Sequence, residues 1–300
     1  MRRFGQKRHH TMKHIRKIIT TIVLAVVASV MIPVTAGAQA QINTKKVKIS
    51  DFTQKTTKVV MSGNAFLDNT MKDEISARWR ISPYEFCSVQ EFEELKSSED
   101  YYFLIPTKGQ FRKEEEPGLL FLTLVKGGRK AENGIDDMLE IVSIPLCSAE
   151  SPSGRELVVL PAYLDIIQDY TLASMEKDIN AYSGLMNFCL NLSKTKDMMI
   201  VFAESDLSDE VDEDFRYNLP GEDLEIMDED DADDLILNQS ADAIVSYVVA
   251  PANPQKGSYC YKLLIDTANH KLYYYRKHRI SKAYGAGFLK EDIRRIAASR

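Results

Sequence analysis

Two stretches of the chain show the same alternation of short apolar runs and amphipathic segments. Runs rich in Val, Ile, Tyr and Phe predict strands, and apolar residues three or four positions apart predict a helical face. Met71, Ile75 and Trp79 form such a face. The first stretch is predicted to contain a strand at 58–62, a helix from Asn69 or Thr70 to Arg80, a strand at 84–87, a helix from the capping-box pair Ser88 and Glu91 to Leu95, and strands at 101–105, 119–125 and 138–144.

The second stretch repeats this order. Its predicted elements are a strand at 198–202, a helix from Ser205 or Ser208 toward Tyr217, a strand at 224–227, a helix at 229–237, and strands at 243–249, 259–265 and 271–278, the last two joined as a hairpin around 267–270. Both stretches follow the order β-α-β-α-β-β-β, which predicts an α/β (α+β) fold with two similar lobes. The alternative is an α/β chain without duplication, because strand–helix alternation is general in that class.

A helical segment separates the two stretches. Pro161 fits the first turn of a helix, and apolar residues then recur at steps of three and four until Gly184 breaks the pattern before a shorter helix. We therefore expect a first α/β lobe at 44–150, a helical bridge at 151–196 and a second α/β lobe at 197–300. The bridge either packs across both lobes or is an ordinary core helix of one domain.

The amino-terminal segment is typical of an export signal. Seven Lys and Arg residues and no acids precede an apolar run from Ile18 to Val34, and Ala36-Gly37-Ala38 supplies a small-residue cleavage site. The alternative is a retained anchor, but the run is short for a membrane span and Pro33 interrupts its end. We predict a signal peptide over 1–38 and export to the periplasm or cell surface, with no transmembrane span after its removal.

Charge is distributed unevenly along the chain. Without residues 1–38 the chain carries 31 Lys and Arg against 44 Asp and Glu, a net charge of −13, which argues against nucleic acid as a partner. Residues 204–234 hold 16 acids and one base, whereas residues 256–300 hold 11 bases and three acids. These segments are either two solvated faces or attract each other within the fold. The acidic run 228–234 lacks the ligand spacing of a calcium-binding loop, and we expect no metal.

Residue types that carry catalysis are scarce after residue 38. His270 and His278 are the two remaining histidines, and we expect both to be exposed polar residues. Ser153 lacks the G-x-S-x-G context of a nucleophile. Cys87, Cys147, Cys189 and Cys260 each lie in an apolar stretch, which favours free buried thiols over one or two disulfides. The sequence therefore predicts no catalytic group and no cofactor.

The second strand of the hairpin offers a candidate binding surface. Neighbouring residues of a strand point to opposite faces, so Tyr273 and Tyr275 are expected on one face. With Arg276 and Arg279 they form a predicted surface binding patch.

The segment 229–278 resembles a known module. Its helix, the strand entry Ala241-Asp242-Ala243-Ile244-Val245 and the hairpin from Leu264-Ile265-Asp266-Thr267 to Leu272-Tyr273-Tyr274-Tyr275 are similar to the small α/β module of the TolB amino-terminal domain and the curli-secretion lipoprotein family. The resemblance implies an exported Gram-negative envelope protein. We expect non-enzymatic binding or envelope assembly, with another envelope protein or a polymer as partner. The alternative is a secreted or periplasmic hydrolase that acts on envelope or dietary polymer through paired carboxylates.

Overall fold

Two five-stranded mixed sheets form the framework of the protein. The computed structural model describes residues 49–176 and 180–300, so the predicted signal peptide over 1–38 lies outside the described residues. The sheets confirm the predicted α/β class with two similar sheet units. Within the described ranges, no helix is both long and apolar enough to cross a membrane.

The two sheet units contain the same sequence of elements. The first unit consists of β1 (Thr56–Val60), α1 (Ala65–Arg78), β2 (Tyr84–Cys87), α2 (Val89–Leu95), β3 (Tyr101–Gly109), β4 (Leu119–Lys126), β5 (Leu139–Ser148) and α3 (Arg155–Glu176). A short segment, α4 (Asn180–Phe188), leads to the second unit. That unit consists of β6 (Met199–Ala203), α5 (Glu213–Tyr217), β7 (Leu224–Met227), α6 (Glu229–Leu237), β8 (Ala243–Val249), β9 (Tyr259–Asp266), β10 (Leu272–Arg279) and α7 (Lys290–Ala298).

The repeat extends to strand pairing and register. The strand orders are β2-β1-β3-β4-β5 and β7-β6-β8-β9-β10, with the first three strands of each sheet parallel and the later pairs antiparallel. Val60, the last residue of β1, lies opposite Cys87, the last residue of β2. Ala203 and Met227 occupy the same positions in β6 and β7. The two units therefore share one backbone design despite few sequence identities.

The units stack head to tail. In the first unit, α1 and α3 pack into the central core and α2 covers the opposite face of the sheet. In the second unit, α6 packs into the central core, whereas the equivalents of α1 and α3, namely α5 and α7, cover the outer face. The α1 face of one sheet thus packs against the α6 face of the other.

The outer faces are closed by short helices. Phe92 of α2 packs on Phe103, with ring centroids 5.0 Å apart, and Phe288 before α7 packs on Phe202, also at 5.0 Å. Helices α5 and α7 span five and nine residues, whereas their first-unit equivalents span 14 and 22. Short end helices with polar outer sides are typical of repeats that terminate a stack.

Helix α3 is the predicted bridge, and it packs against both sheets. The Tyr163 hydroxyl donates to the carbonyl of Pro145 at 2.9 Å, while its ring lies 6.0 Å from that of Tyr247 in β8. The expectation that Pro161 begins the helix is wrong, because α3 starts at Arg155 and encloses the proline. Proline lacks the N–H that would bond one turn back, and tertiary packing of a fully buried stripe offsets that loss.

Two other predicted helix starts are wrong. Helix α1 begins at Ala65 because the Asn64 side chain accepts the N–H groups of Phe66 and Leu67. The cap of α5 is Asp212, which accepts the N–H of Phe215 at 3.0 Å. The predicted Ser88 and Glu91 capping box of α2 is confirmed.

The carboxyl-terminal basic segment packs on the acidic segment. Lys290 pairs with Asp212 at 2.6 Å, and Arg300 lies 3.7 Å from Asp223. Attraction between the two segments, one of the two sequence alternatives, is therefore present in the fold.

Gly287 allows the loop before α7 to touch the chain after β6. Its φ is +104°, and a Cβ there would lie 2.5 Å from the backbone nitrogen of Ser208. We expect Gly287→Ala to lower the free energy of unfolding by about 2 kcal/mol, because both the φ and the contact disfavour a side chain. Urea denaturation measures this, with Gly285→Ala as control, since nothing lies within 4 Å of a Cβ at Gly285. Equal midpoints for the two variants would contradict the prediction.

Candidate functional site

The β9–β10 hairpin places aromatic and basic side chains on one face. Lys277 lies opposite Tyr261, and Arg279 lies opposite Tyr259. Because residues two apart share a face, these four side chains project from the same side of the sheet. Lys277 and Arg279 are exposed, whereas Tyr261 is buried and Tyr259 is partly exposed.

The aromatic rings surround the lysine ammonium. Lys277 Nζ lies 5.0 Å from the ring centroid of Tyr259, 5.5 Å from that of Tyr261 and 5.7 Å from that of Phe111, which follows β3 in the first unit. The Arg279 guanidinium lies 5.6 Å from the Tyr259 ring. Contacts within about 6 Å are attractive cation–π interactions. We call Phe111, Tyr259, Tyr261, Lys277 and Arg279 the cation–aromatic face.

The structure separates the four residues of the predicted patch. Tyr275 packs against Tyr261 of the face, with ring centroids 5.8 Å apart, and Arg279 is itself part of the face. The expectation that Tyr273 shares a side with Tyr275 is wrong, because the register shifts between Leu272 and Tyr274. Tyr273 instead packs on the outer core of the second sheet, and Tyr275 packs on the central core. The Arg276 side chain reaches Met186 Sδ at 2.6 Å.

Alternation from Tyr275 could have found Lys277 in the sequence. The β-bulge in β10 gives no comparable signal in the sequence. Its position depends on which residue of β10 has no partner in β9. Phe111 also gives none, because it joins the face from a loop about 150 positions earlier in the chain.

Glu140 lies opposite Val125 of β4. It is partly buried in β5, and within the described chain its carboxyl forms no hydrogen bond or ion pair. Burial, together with the nearby Asp136 carboxylate, raises the pKa of Glu140 to about 7. Burial is also the main cause of the raised pKa of Tyr261 and Tyr275, and Glu140 contributes to both.

Arg155 forms a second polar centre between the two units. Its Nε lies 2.9 Å from Asp233 Oδ1 in α6, and its Nη1 lies 2.9 Å from Asp206 Oδ1 after β6. Asp206 also accepts the Ser246 hydroxyl at 2.6 Å and the Val248 N–H at 3.1 Å. Burial disfavours the guanidinium charge, but Asp206 and Asp233 outweigh it and hold the pKa of Arg155 above its usual value.

Two shallow pockets flank the loop before α3. Their volumes are about 360 and 250 Å³, and Cys147 and Ser153 contribute to both. Phe66 lies on the larger pocket and is 79% exposed. Arg155, Asp206 and Glu229 contribute to the smaller pocket, so its charged groups are those of the Arg155 centre.

All four cysteines are free thiols, as predicted, and three of them are buried. Burial is the main cause that raises the pKa of Cys147 to about 12 and that of Cys87 to about 11. Cys147 is therefore a protonated thiol near neutral pH, although it lines both pockets.

The predicted exposure of His270 is wrong. It is 3% exposed and has a φ of +55°, and its Nδ1 lies 2.6 Å from Asp165 Oδ2 of α3. Arg78 of α1 contacts the same carboxylate oxygen at 3.2 Å, so the hairpin tip is tied to two helices of the first unit. His278 is partly buried, and burial lowers its pKa.

Among the residues that the structure describes, no group of three or more His, Cys, Asp or Glu side chains is placed to hold a metal ion. No known family model matches the chain, and no curated protein and no solved structure shows significant similarity to it.

Proposed function

We propose that the protein is an exported, non-enzymatic binding protein that holds an acidic polymer on its cation–aromatic face. The observation that carries the proposal is the placement of Lys277 over three rings, with Arg279 beside it. The rings hold the exposed ammonium in place, so less conformational entropy is lost when an anion binds. Sugar rings also pack on aromatic faces through their apolar C–H surface.

The charge distribution supports an anionic ligand. The whole chain has a net charge of −6, yet this face combines two exposed bases and partly exposed rings. The positive charge of this face attracts acidic partners, and the negative charge of the rest of the protein repels them elsewhere. An acidic polysaccharide of the cell envelope has the matching chemistry.

The hydrolase alternative has less support from the carboxylates of the Arg155 centre. Asp206 and Asp233 converge from two sides on the guanidinium of Arg155, at 2.9 Å each. Carboxylates in this arrangement stabilise one shared cation, whereas a hydrolytic pair must exchange a proton and face a substrate.

Affinity measurements with dextran sulfate and neutral dextran test the binding proposal. We expect the purified protein to bind dextran sulfate and to bind neutral dextran much more weakly. Lys277→Glu or Arg279→Glu should weaken binding about tenfold, since each replaces a charge-assisted contact by repulsion. Calorimetry at constant ionic strength gives the Kd. Mass spectrometry of the exported protein should find Gln39 or Gln41 at its amino terminus.

Lys72→Glu is the matched control. Lys72 is an exposed lysine on α1, and its replacement changes the net charge by the same amount at a distant site. Unchanged affinity in Lys277→Glu, or equal losses in Lys277→Glu and Lys72→Glu, would contradict binding at the face.

A further inference from the structure

We propose that Glu114 is a positioning residue of the cation–aromatic face, because it holds the loop that carries Phe111 against the β9–β10 hairpin. This inference rests on the proposed function and concerns a residue that is not itself part of the face. It means that the binding site is assembled from both sheet units, since Glu114 and Phe111 belong to the first unit and the other residues of the face belong to the second.

Phe111 reaches the face from the loop between β3 and β4. β3 ends at Gly109 and β4 begins at Leu119, and these two residues form the last pair of the ladder. The Phe111 ring lies 4.7 Å from the ring of Tyr259 and 6.4 Å from that of Tyr261, measured between centroids. Contacts of the loop itself, rather than the pairing of β3 with β4, must therefore place this ring.

The Glu114 carboxylate joins the two units at this loop. Its Oε2 accepts the backbone N–H of Phe111 at 2.7 Å, and its Oε1 accepts the hydroxyl of Ser258 at 2.5 Å. Glu114 is 7% exposed and Ser258 is fully buried, so water competes little for these hydrogen bonds. Hydrogen bonds to a carboxylate are about twice as strong as those between neutral groups. One side chain thus ties the backbone of Phe111 to the residue that precedes Tyr259.

Ser258 is held within the hairpin. Its carbonyl accepts the N–H of Ile280 after β10 at 2.9 Å, and its hydroxyl accepts the N–H of Gln255 at 2.9 Å. The Gln255 side chain accepts the N–H of Glu115 at 2.5 Å, which gives a second link between the loop and the hairpin. The hairpin therefore offers the loop a fixed point to bind.

Loss of the Glu114 carboxylate should release the Phe111 ring from the face. Glu114→Ala removes both hydrogen bonds, so the loop gains conformational freedom and the contact of the ring with Lys277 Nζ at 5.7 Å is lost. A cation–π contact at an exposed site corresponds to a factor of about three in affinity. We therefore expect Glu114→Ala to bind dextran sulfate about threefold more weakly than the parent. A purely electrostatic role predicts the opposite sign, because removal of a negative charge favours an anion.

Calorimetry with dextran sulfate tests the inference. Phe111→Ala, Glu114→Ala and the double variant should each bind about threefold more weakly than the parent, because Glu114 acts through Phe111 and the losses do not add. Glu114→Gln should bind like the parent, since its Oε1 can accept the Phe111 N–H and its Nε2 can donate to Ser258 Oγ. Glu115→Ala removes an exposed acid from the same loop and is the matched control, with binding like that of the parent.

Proton NMR of the Lys277 side chain adds a readout that a general loss of stability would not change in the folded protein. Protons that lie over aromatic rings resonate upfield, so the ε-methylene signal of Lys277 reports whether the Phe111 ring is in place. Glu114→Ala and Phe111→Ala should move this signal downfield by the same amount. Glu114→Gln and Glu115→Ala should leave it at the parent position.

The outcomes separate this inference from the proposed function. Unchanged or tighter binding by Glu114→Ala overturns the positioning role and leaves binding at the face intact, as does a loss of about ninefold in the double variant. Binding by Glu114→Gln as weak as that by Glu114→Ala also overturns it. Ser258→Ala breaks the same link from the hairpin side, so binding like the parent in this variant overturns the role even if Glu114→Ala does not fold. Absence of binding in the parent protein overturns both proposals.

Discussion

Replacement of Arg155 by Ala should lower the free energy of unfolding by about 3–5 kcal/mol. The guanidinium is 6% exposed and interacts with Asp206, Asp233 and, at 3.7 Å, Glu229. Its removal leaves Asp206, whose side chain is 3% exposed, without a cation. The penalty is that of an uncompensated buried charge, which exceeds the net contribution of the intact pair.

Urea denaturation at pH 7 measures the effect, and Arg295→Ala is the control. Arg295 forms an ion pair with Glu291 on the surface of α7, where both side chains are more than half exposed. Its loss should change stability by no more than about 1 kcal/mol. A similar small change in Arg155→Ala would show that the Arg155 centre does not hold the two units together.

The order of elements could be predicted from the sequence because it depends on local signals. Helix α6 and the Ser88–Glu91 cap were found from periodicity and cap spacing, which act within one or two turns. The repeated order of strands followed from the same evidence. The helix starts at Ala65 and Arg155 differ from those predicted at Asn69 or Thr70 and at Pro161. The Asn64 cap begins the first helix earlier, and tertiary packing around Pro161 lets the second helix extend before the proline.

The head-to-tail stack and the polar centres could not be predicted from the sequence. The choice of face for each helix depends on the crossover between strands that lie far apart in the chain. Arg155 meets partners 51 and 78 positions away, and Lys277 meets a ring contributed by the first unit. A one-residue bulge then moved Tyr273 away from Tyr275. These arrangements are set by tertiary contacts rather than by spacing.

A comparable loss of about 3–5 kcal/mol is expected for Asp292→Ala. Asp292 lies in the first turn of α7 and pairs with Lys262, which is 2% exposed. It also accepts the Tyr274 hydroxyl at 2.9 Å and the Leu289 N–H at 3.0 Å. Alanine removes the carboxylate and with it all three interactions, which leaves the Lys262 ammonium buried under the helix without its counter-charge.

The pH dependence identifies the origin of this loss. Burial alone would raise the pKa of Asp292, but the contact with Lys262, together with the hydrogen bonds from Leu289 and Tyr274, outweighs burial and lowers it. A carboxyl with a lowered pKa stabilises the fold above the pKa of the unfolded chain, near 3.9, and this contribution disappears as the pH falls through the folded value. The difference between the parent and Asp292→Ala should therefore be largest near pH 7 and shrink in acid.

Two further variants decide between charge burial and simple loss of packing. Glu291→Ala, at the neighbouring exposed position, should change stability by no more than about 1 kcal/mol. Adding Lys262→Met to Asp292→Ala should recover part of the loss, because the unpaired ammonium is then absent. If the double variant is less stable than Asp292→Ala, packing by the lysine stem outweighs its buried charge, and the ion pair is not what holds α7 on the second sheet.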